Sequence, residues 1–377
     1  MNFDQYKLSL KYKNYNIWKI CLRYCEYKIK NFFVLLIIKF NRSNVKSKKI
    51  IDIGNFKDSS YINFFIYSLK DEFIFSYDEN DDSPKLFKRL GLINFFKNTV
   101  PNSKVSFKNK IKINMHSSND KDQIFIDTNY FKYFQNKEDL EKNNRLIMPY
   151  FMYPRIYNSF YKKINIIKKP DLNLRIFFSG SIVKEGYNSF NWKNDGNNFP
   201  NRIEIINNIL KEFKSEIYVI KTKSDLKSNK FNKKKIILCL HDKMIRKTSY
   251  ILNFNENFNL LSNSCFNLNC PGVVMPLSHH LIEGMKVGSI PITGFGKLID
   301  PFLNSENSLE YKNLTELNKK IEEALNMNEE KILYMRKNVT NYYNDFLSPN
   351  SFRLKFKKII EQKEKKIICC DDHRSIR

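Results

Sequence analysis

The sequence predicts an α/β protein of two domains, each built on a mostly parallel sheet. Three observations predict it. The chain has 377 residues, which is long for one hydrophobic core and comfortable for two. Short apolar runs alternate with segments of helical spacing in both halves of the chain. Residues 262–301 (SNSCFNLNCPGVVMPLSHHLIEGMKVGSIPITGFGKLIDP) read as one complete strand, glycine turn, helix and strand.

Taken in order, residues 1–45 form a basic amphipathic segment. The first 50 residues hold 12 Lys and Arg against Asp4 and Glu26, a net of +10. Aromatic and aliphatic residues (Trp18, Tyr24, Tyr27) alternate there with Lys19, Arg23 and Lys28. Such a helix lies on an anionic leaflet or packs on the first domain with its lysines in water; both readings stand. The apolar run 32–38 is far too short to span a bilayer, and no cleavable leader is evident. These features point to a cytoplasmic protein, peripheral to the inner face of a membrane if the segment binds lipid.

Residues 46–156 form the first domain. Lys49-Ile50-Ile51-Asp52-Ile53-Gly54 reads as a strand entering a glycine turn, 61–69 as a helix and 73–77 as a strand. Residues 84–97 have helical spacing, and 110–114 and 123–127 alternate as strands. The apolar stretch from Leu146, with Pro149 and Pro154, is the last strand and the exit. Asp120-Lys121-Asp122 has the D-x-D pattern of a cation site. Its central lysine argues against cation binding, and no metal is expected.

Residues 157–171 form the linker, and 172–348 the second domain. Its first strand ends in Ser179-Gly180-Ser181, where glycine lets a ligand approach the backbone and the serines offer donors. A helix begins near Pro200, with Arg202 in its first turn placed to meet a phosphate. Residues 217–220 and 236–240 read as strands, and the lysine-rich segment between them as a solvated loop. In 262–301, Pro271-Gly272 breaks the first strand and Ser278 starts the helix, its hydroxyl set to cap. Free N–H groups there favour an anion, with Ser278, His279 and His280 as further donors and Glu283 one turn on to accept from a sugar diol. Helical spacing follows over 314–327 and 328–344. Residues 349–377 form a basic terminal helix and a disordered tail from Ile367.

The pattern Phe266-x-Leu268-x-x-Pro271-Gly272, then Pro276-x-Ser278-His279-His280-Leu281-x-Glu283-Gly284-Met285, Gly288-Ser289-Ile290-Pro291-Ile292 and Pro301-Phe302 resembles the C-terminal half of exostosin-like glycosyltransferases. The resemblance covers about residues 175–349. It implies a GT-B-like fold of two Rossmann-like domains and a nucleotide-sugar donor on the second domain. It also implies transfer to a glycan or lipid-linked acceptor without a required cofactor. Glu283 matches the glutamate that contacts the donor ribose or sugar. Many retaining members carry another glutamate eight residues earlier; Met275 stands there, which is compatible with inversion. The donor-side residues expected on these grounds are Gly180, Ser181, Arg202, Gly272, Ser278, His279 and Glu283. An inverting transferase needs a general base on the acceptor side. His116, Asp120, Asp127 and Asp52 are the candidates, and His116 is preferred.

The formal charge of +26 attracts phosphates, anionic lipid and nucleic acid alike. A basic nucleic-acid-binding protein is therefore an alternative, disfavoured because no zinc finger or RNA-recognition signature is present. A non-catalytic GT-B-like binding protein is another. The seven cysteines show no C-x-x-C framework and are expected reduced.

Overall fold

The computed structural model describes residue 25 and residues 49–53, 61–77, 99–101, 110–114, 123–135, 145–167, 169–182, 192–194, 197–227, 234–241, 250–272, 275–362 and 365–370. The basic segment 1–45, His116, the D-x-D tripeptide and the helix expected at 84–97 lie outside them.

The first half contains β1 (Lys49–Asp52), α1 (Ile62–Leu69), β2 (Phe73–Tyr77), β3 (Thr99–Pro101), β4 (Lys110–Asn114), β5 (Gln123–Asp127), α2 (Tyr130–Gln135) and β6 (Arg145–Ile147). Past α3 (Pro154–Ser159) come β7 (Ile176–Ser181), the hairpin of β8 (Trp192–Asn194) and β9 (Asn197–Phe199), and α4 (Arg202–Glu212). Then follow β10 (Ile217–Val219), β11 (Ile236–His241), α5 (Phe254–Asn263), β12 (Phe266–Leu268), α6 (His279–Lys286), β13 (Ile290–Thr293) and β14 (Leu309–Glu310). The chain closes with α7 (Leu314–Asn326), α8 (Glu329–Tyr342), α9 (Pro349–Ile359) and β15 (Lys366–Ile368).

The strands form two parallel sheets, ordered β3-β2-β1-β4-β5-β15-β6 and β10-β11-β7-β12-β13-β14. This is the GT-B-like α/β class expected from the sequence. Parallel strands are covered on both faces, so they read as unbroken apolar runs. Ile236-Ile237-Leu238-Cys239 in β11 and all of β13 are buried.

One expectation is overturned at the C-terminus. The tail does not begin at Ile367, and the last helix ends at Ile359. Residues 366–368 instead lie between β5 and β6, pairing with both, and Ile367, Ile368, Cys369 and Cys370 are buried. Three residues among lysines carry no local strand signal; the ladder on each side supplies it. Helix α9 also belongs to the first half, where Phe352 and Phe356 pack on Phe64, Phe65 and Phe73 at centroid distances of 5.4–6.0 Å.

A buried arginine ties the second half together. Arg336 of α8 donates to the carbonyls of Ser264 (2.6 Å), Ser262 (3.0 Å), Ile167 (3.2 Å) and Val287 (3.3 Å). Burial lowers its pKa to about 10, so it stays cationic while capping the C-terminal carbonyls of α5 and α6. Helix α6 stops at Gly288, whose φ of +80° is left-handed; a Cβ there would lie 2.9 Å from Thr340 Oγ1.

The carboxyl ends of the two sheets meet. Tyr130, just past β5, donates to the Leu298 carbonyl (2.8 Å), and Tyr150, past β6, to the Leu277 carbonyl (3.4 Å). Cys370, past β15, lies 3.7 Å from the Met275 sulfur.

Candidate functional site

The connections of the second sheet reverse direction between β7 and β12. From β7 the chain moves to β10 and β11 on one side, then crosses to β12, β13 and β14 on the other. Strand β12 pairs with β7 only at Phe266↔Ile176 and Asn267↔Phe177. Strand β7 continues to Ser181 beside β11 alone. The two strands therefore part after Phe177, and open parallel sheets take their ligands at such a switch point.

Gly180, Ser181 and Arg202 come together there. Arg202 is the first residue of α4, whose start is closed by a capping box. Asn201 Oδ1 accepts from the amides of Ile203 (2.9 Å) and Glu204 (3.1 Å), and Glu204 accepts from the Asn201 amide (2.7 Å). The arginine is 8% exposed, donates to the Ser181 carbonyl (3.2 Å) and lies 5.7 Å over the Phe178 ring. Glycine is required at 180, because a Cβ would fall 2.6 Å from that ring and 3.2 Å from Arg202 Nη1.

Around this cation lie polar groups that sequence reasoning missed as a cluster. The Asn267 side chain donates to the His280 carbonyl (3.1 Å) and is wedged against Gly284, where a Cβ would fall 2.3 Å from Nδ2. Its Oδ1 is buried without a hydrogen-bond partner, as is Asn269 Oδ1, although Asn269 Nδ2 donates to the Asn267 carbonyl (3.1 Å). The His280 ring sits 5.7 Å from Phe177 and 5.9 Å from Phe178, and neither ring nitrogen has a well-formed hydrogen bond. Burial, then the charge of Arg202, pushes its pKa down to about 3; a backbone contact at Leu268 opposes this without closing standard hydrogen-bond geometry. The ring is neutral. Buried polar atoms in folded proteins almost always have partners, so the amide oxygens of Asn267 and Asn269 and the ring nitrogens of His280 stand out as exceptions. The sequence signal was Asn267 and Asn269, alternating in an otherwise apolar strand.

His279 and Glu283 are engaged elsewhere. On α6, positions 279 and 283 share one face and 280 and 284 the next. His279 Nδ1 donates to the Phe151 carbonyl (2.8 Å), and its ring stacks on Tyr150 at 5.5 Å and 12°. Glu283 is buried; it accepts from the Tyr153 amide (3.2 Å) and from Asn257 Nδ2 (3.3 Å). Burial pushes its pKa up to about 7 against the pull of those two bonds. His279 and Glu283 thus clamp the backbone leaving the first domain, where the sequence led us to expect a sugar diol. Ser278 is the N-cap of α6, but its hydroxyl makes no capping bond, contrary to expectation. Gly272 donates its amide to the Met275 carbonyl (2.7 Å), and a Cβ would lie 2.8 Å from that oxygen.

Two of the candidate bases are engaged. Asp52 pairs with Lys110 (2.8 Å) and Asp127 with Lys366 (2.6 Å). Burial alone would raise the Asp127 pKa, but Lys366 and the Asn129 amide outweigh it and hold it below the usual range. Among the described residues no three His, Cys, Asp or Glu gather as a metal site, and no helix is long and apolar enough to cross a membrane.

No family model matches the chain, and no curated protein matches it in sequence. Solved structures give distant likenesses. One is the wall teichoic acid polymerase TagF, at 12% identity over 96% of this chain and 98% of that one, with a TM-score of 0.27. Another is the N-terminal domain of Candida albicans trehalose-6-phosphate phosphatase, at 9% identity over 84% and 97%, with a TM-score of 0.38.

Proposed function

We propose that the chain is a glycosyltransferase that moves a sugar from a nucleotide-sugar to a glycan or lipid-linked acceptor, with inversion. The observation that carries this reading is the buried Arg202, held under Gly180-Ser181 where β7 and β12 part, beside polar atoms awaiting a ligand. A guanidinium in a nearly dry site is worth far more to a departing diphosphate than one in water, because little solvent screens it.

In this reading the diphosphate lies against the Gly180-Ser181 backbone and Arg202. The free hydroxyl of Ser278 and the turn at Gly272 border it, at the start of α6. His279 and Glu283 hold the chain at Phe151 and Tyr153, just ahead of the linker. The acceptor binds on the first half, whose sheet presents its carboxyl ends to the second. A base there, with His116 as the candidate, takes the acceptor hydroxyl proton as the oxygen attacks the anomeric carbon. Arg202 meets the charge that develops on the leaving group, so the reaction needs no metal. The excess of lysine and arginine suits an anionic acceptor or a membrane surface.

A thermal-shift panel of nucleoside diphosphates and nucleotide-sugars tests the reading. A ligand at 100 times its Kd stabilises the native state by about 2.7 kcal/mol. One nucleotide class should raise Tm, and its sugar should be released or transferred on adding acceptor. If no nucleotide stabilises the protein, the reading fails.

A further inference from the structure

The ring nitrogens of His280, a residue the sequence offers as a further donor to an anion, are buried at the same switch point. Its main-chain carbonyl is fixed by Asn267, so the start of α6 is locked to β12. Its ring fills the gap that opens beside Phe177 and Phe178 where β12 leaves β7. Both ring nitrogens are buried and neither completes a hydrogen bond, so the side chain is expensive where it stands. An apolar ring of similar size would pack between the same phenylalanines without that cost. A polar ring retained in such a place is explained by what it does when the ligand arrives.

We propose that His280 is a donor-contacting residue, whose neutral imidazole gives its N–H to a diphosphate oxygen of the nucleotide-sugar while Arg202 supplies the charge. This rests on the donor-site reading above. The division of labour follows from the surroundings. A second cation beside Arg202 would be repelled, and the ring already stays neutral there. A neutral donor adds direction without adding charge. It also leaves the empty site with one buried cation rather than two.

The test is isothermal titration of UDP and GDP against the full chain, with melting curves of the same samples. His280→Phe and His280→Ala should weaken binding about tenfold, which is the loss of about one charge-assisted hydrogen bond. His280→Asn, which keeps an N–H donor, should recover part of it. His280→Phe should melt at or above the wild-type temperature, because it removes unpartnered polar atoms from the interior. Binding within twofold of wild type in both His280→Phe and His280→Ala would overturn the proposal. So would loss of binding that merely tracks loss of folded protein across the three variants. Should the wild type bind neither nucleotide, the donor-site reading fails and this proposal with it. That outcome is distinct from a wild type that binds and variants that bind equally well.

Discussion

The carboxyl ends of the two sheets have opposite chemistry. In the first sheet the acids are closed off: Asp52 by Lys110, and Asp127 by Lys366 from the last strand of the chain. In the second sheet a cation, an imidazole and two amide oxygens lie around a point where the strands diverge, and the imidazole nitrogens and the amide oxygens are buried without a hydrogen-bond partner. A parallel sheet is thus used once with its polar groups paired within the chain and once with some of them left unpaired. Polar groups that stabilise are paired within the chain; polar groups that recognise are held ready for something outside it.

If that contrast is right, damage to the first sheet costs stability and spares ligand affinity, and damage to the second does the reverse. The largest effect comes from ending the chain after Lys365. This removes β15 from between β5 and β6 and breaks two ladders inside the sheet. We expect no cooperatively folded protein by circular dichroism and limited proteolysis. A truncated protein with wild-type Tm would show that the strand is dispensable.

Next in size is the clamp on the chain at Phe151 and Tyr153. The Glu283 pKa is raised to about 7 from an unfolded value of about 4.5. A raised acid binds its proton more tightly when folded. Its contribution is therefore greatest below pH 4.5 and is lost as pH rises through 7, a span worth about 3 kcal/mol. Glu283→Gln should remove that slope, seen as a difference in urea-unfolding free energy between pH 4.5 and 7.5. Parallel pH profiles for the two proteins would contradict it.

Lys110→Met should cost about 3 kcal/mol, since it removes the buried ammonium paired with the largely buried Asp52 carboxylate. Nucleotide affinity should not move. The smallest effect belongs to Asp127. Its carboxyl is held below its unfolded pKa, so its stabilisation is present above about pH 4 and fades as pH falls through the lower folded value. Asp127→Asn should flatten that acid limb, read from urea midpoints, with no change near neutral pH beyond the lost pair.

The second half was the more legible in sequence, for a physical reason. Its strands are continuous apolar runs ended by glycine, as in Ser179-Gly180-Ser181, and such runs carry their own boundaries. The helix from His279 was readable from its periodicity, and so was the anion-friendly residue set at its start. Which face of that helix met the sheet was not. A difference of one residue, His279 or His280, is a rotation of about 100°, and only packing against Asn267 and against Tyr150 and Phe151 resolves it. The place of β15 was beyond reach because its partners lie over 200 residues away. The engagement of Asp127 by Lys366 follows from that same distant pairing. Residues such as Asn257 and Tyr153 gave no local hint of meeting Glu283, because neither belongs to the same segment.

The most direct measurement is nucleotide binding by Arg202→Met, a change that keeps the length and apolar stem of the side chain and removes the guanidinium. Titration of UDP and GDP should show tight binding of one of them to the wild type and about a 100-fold loss in the variant, with Tm little altered. Equal affinity in both proteins would place the diphosphate somewhere other than the divergence of β7 and β12, and the assignment of this site would be wrong.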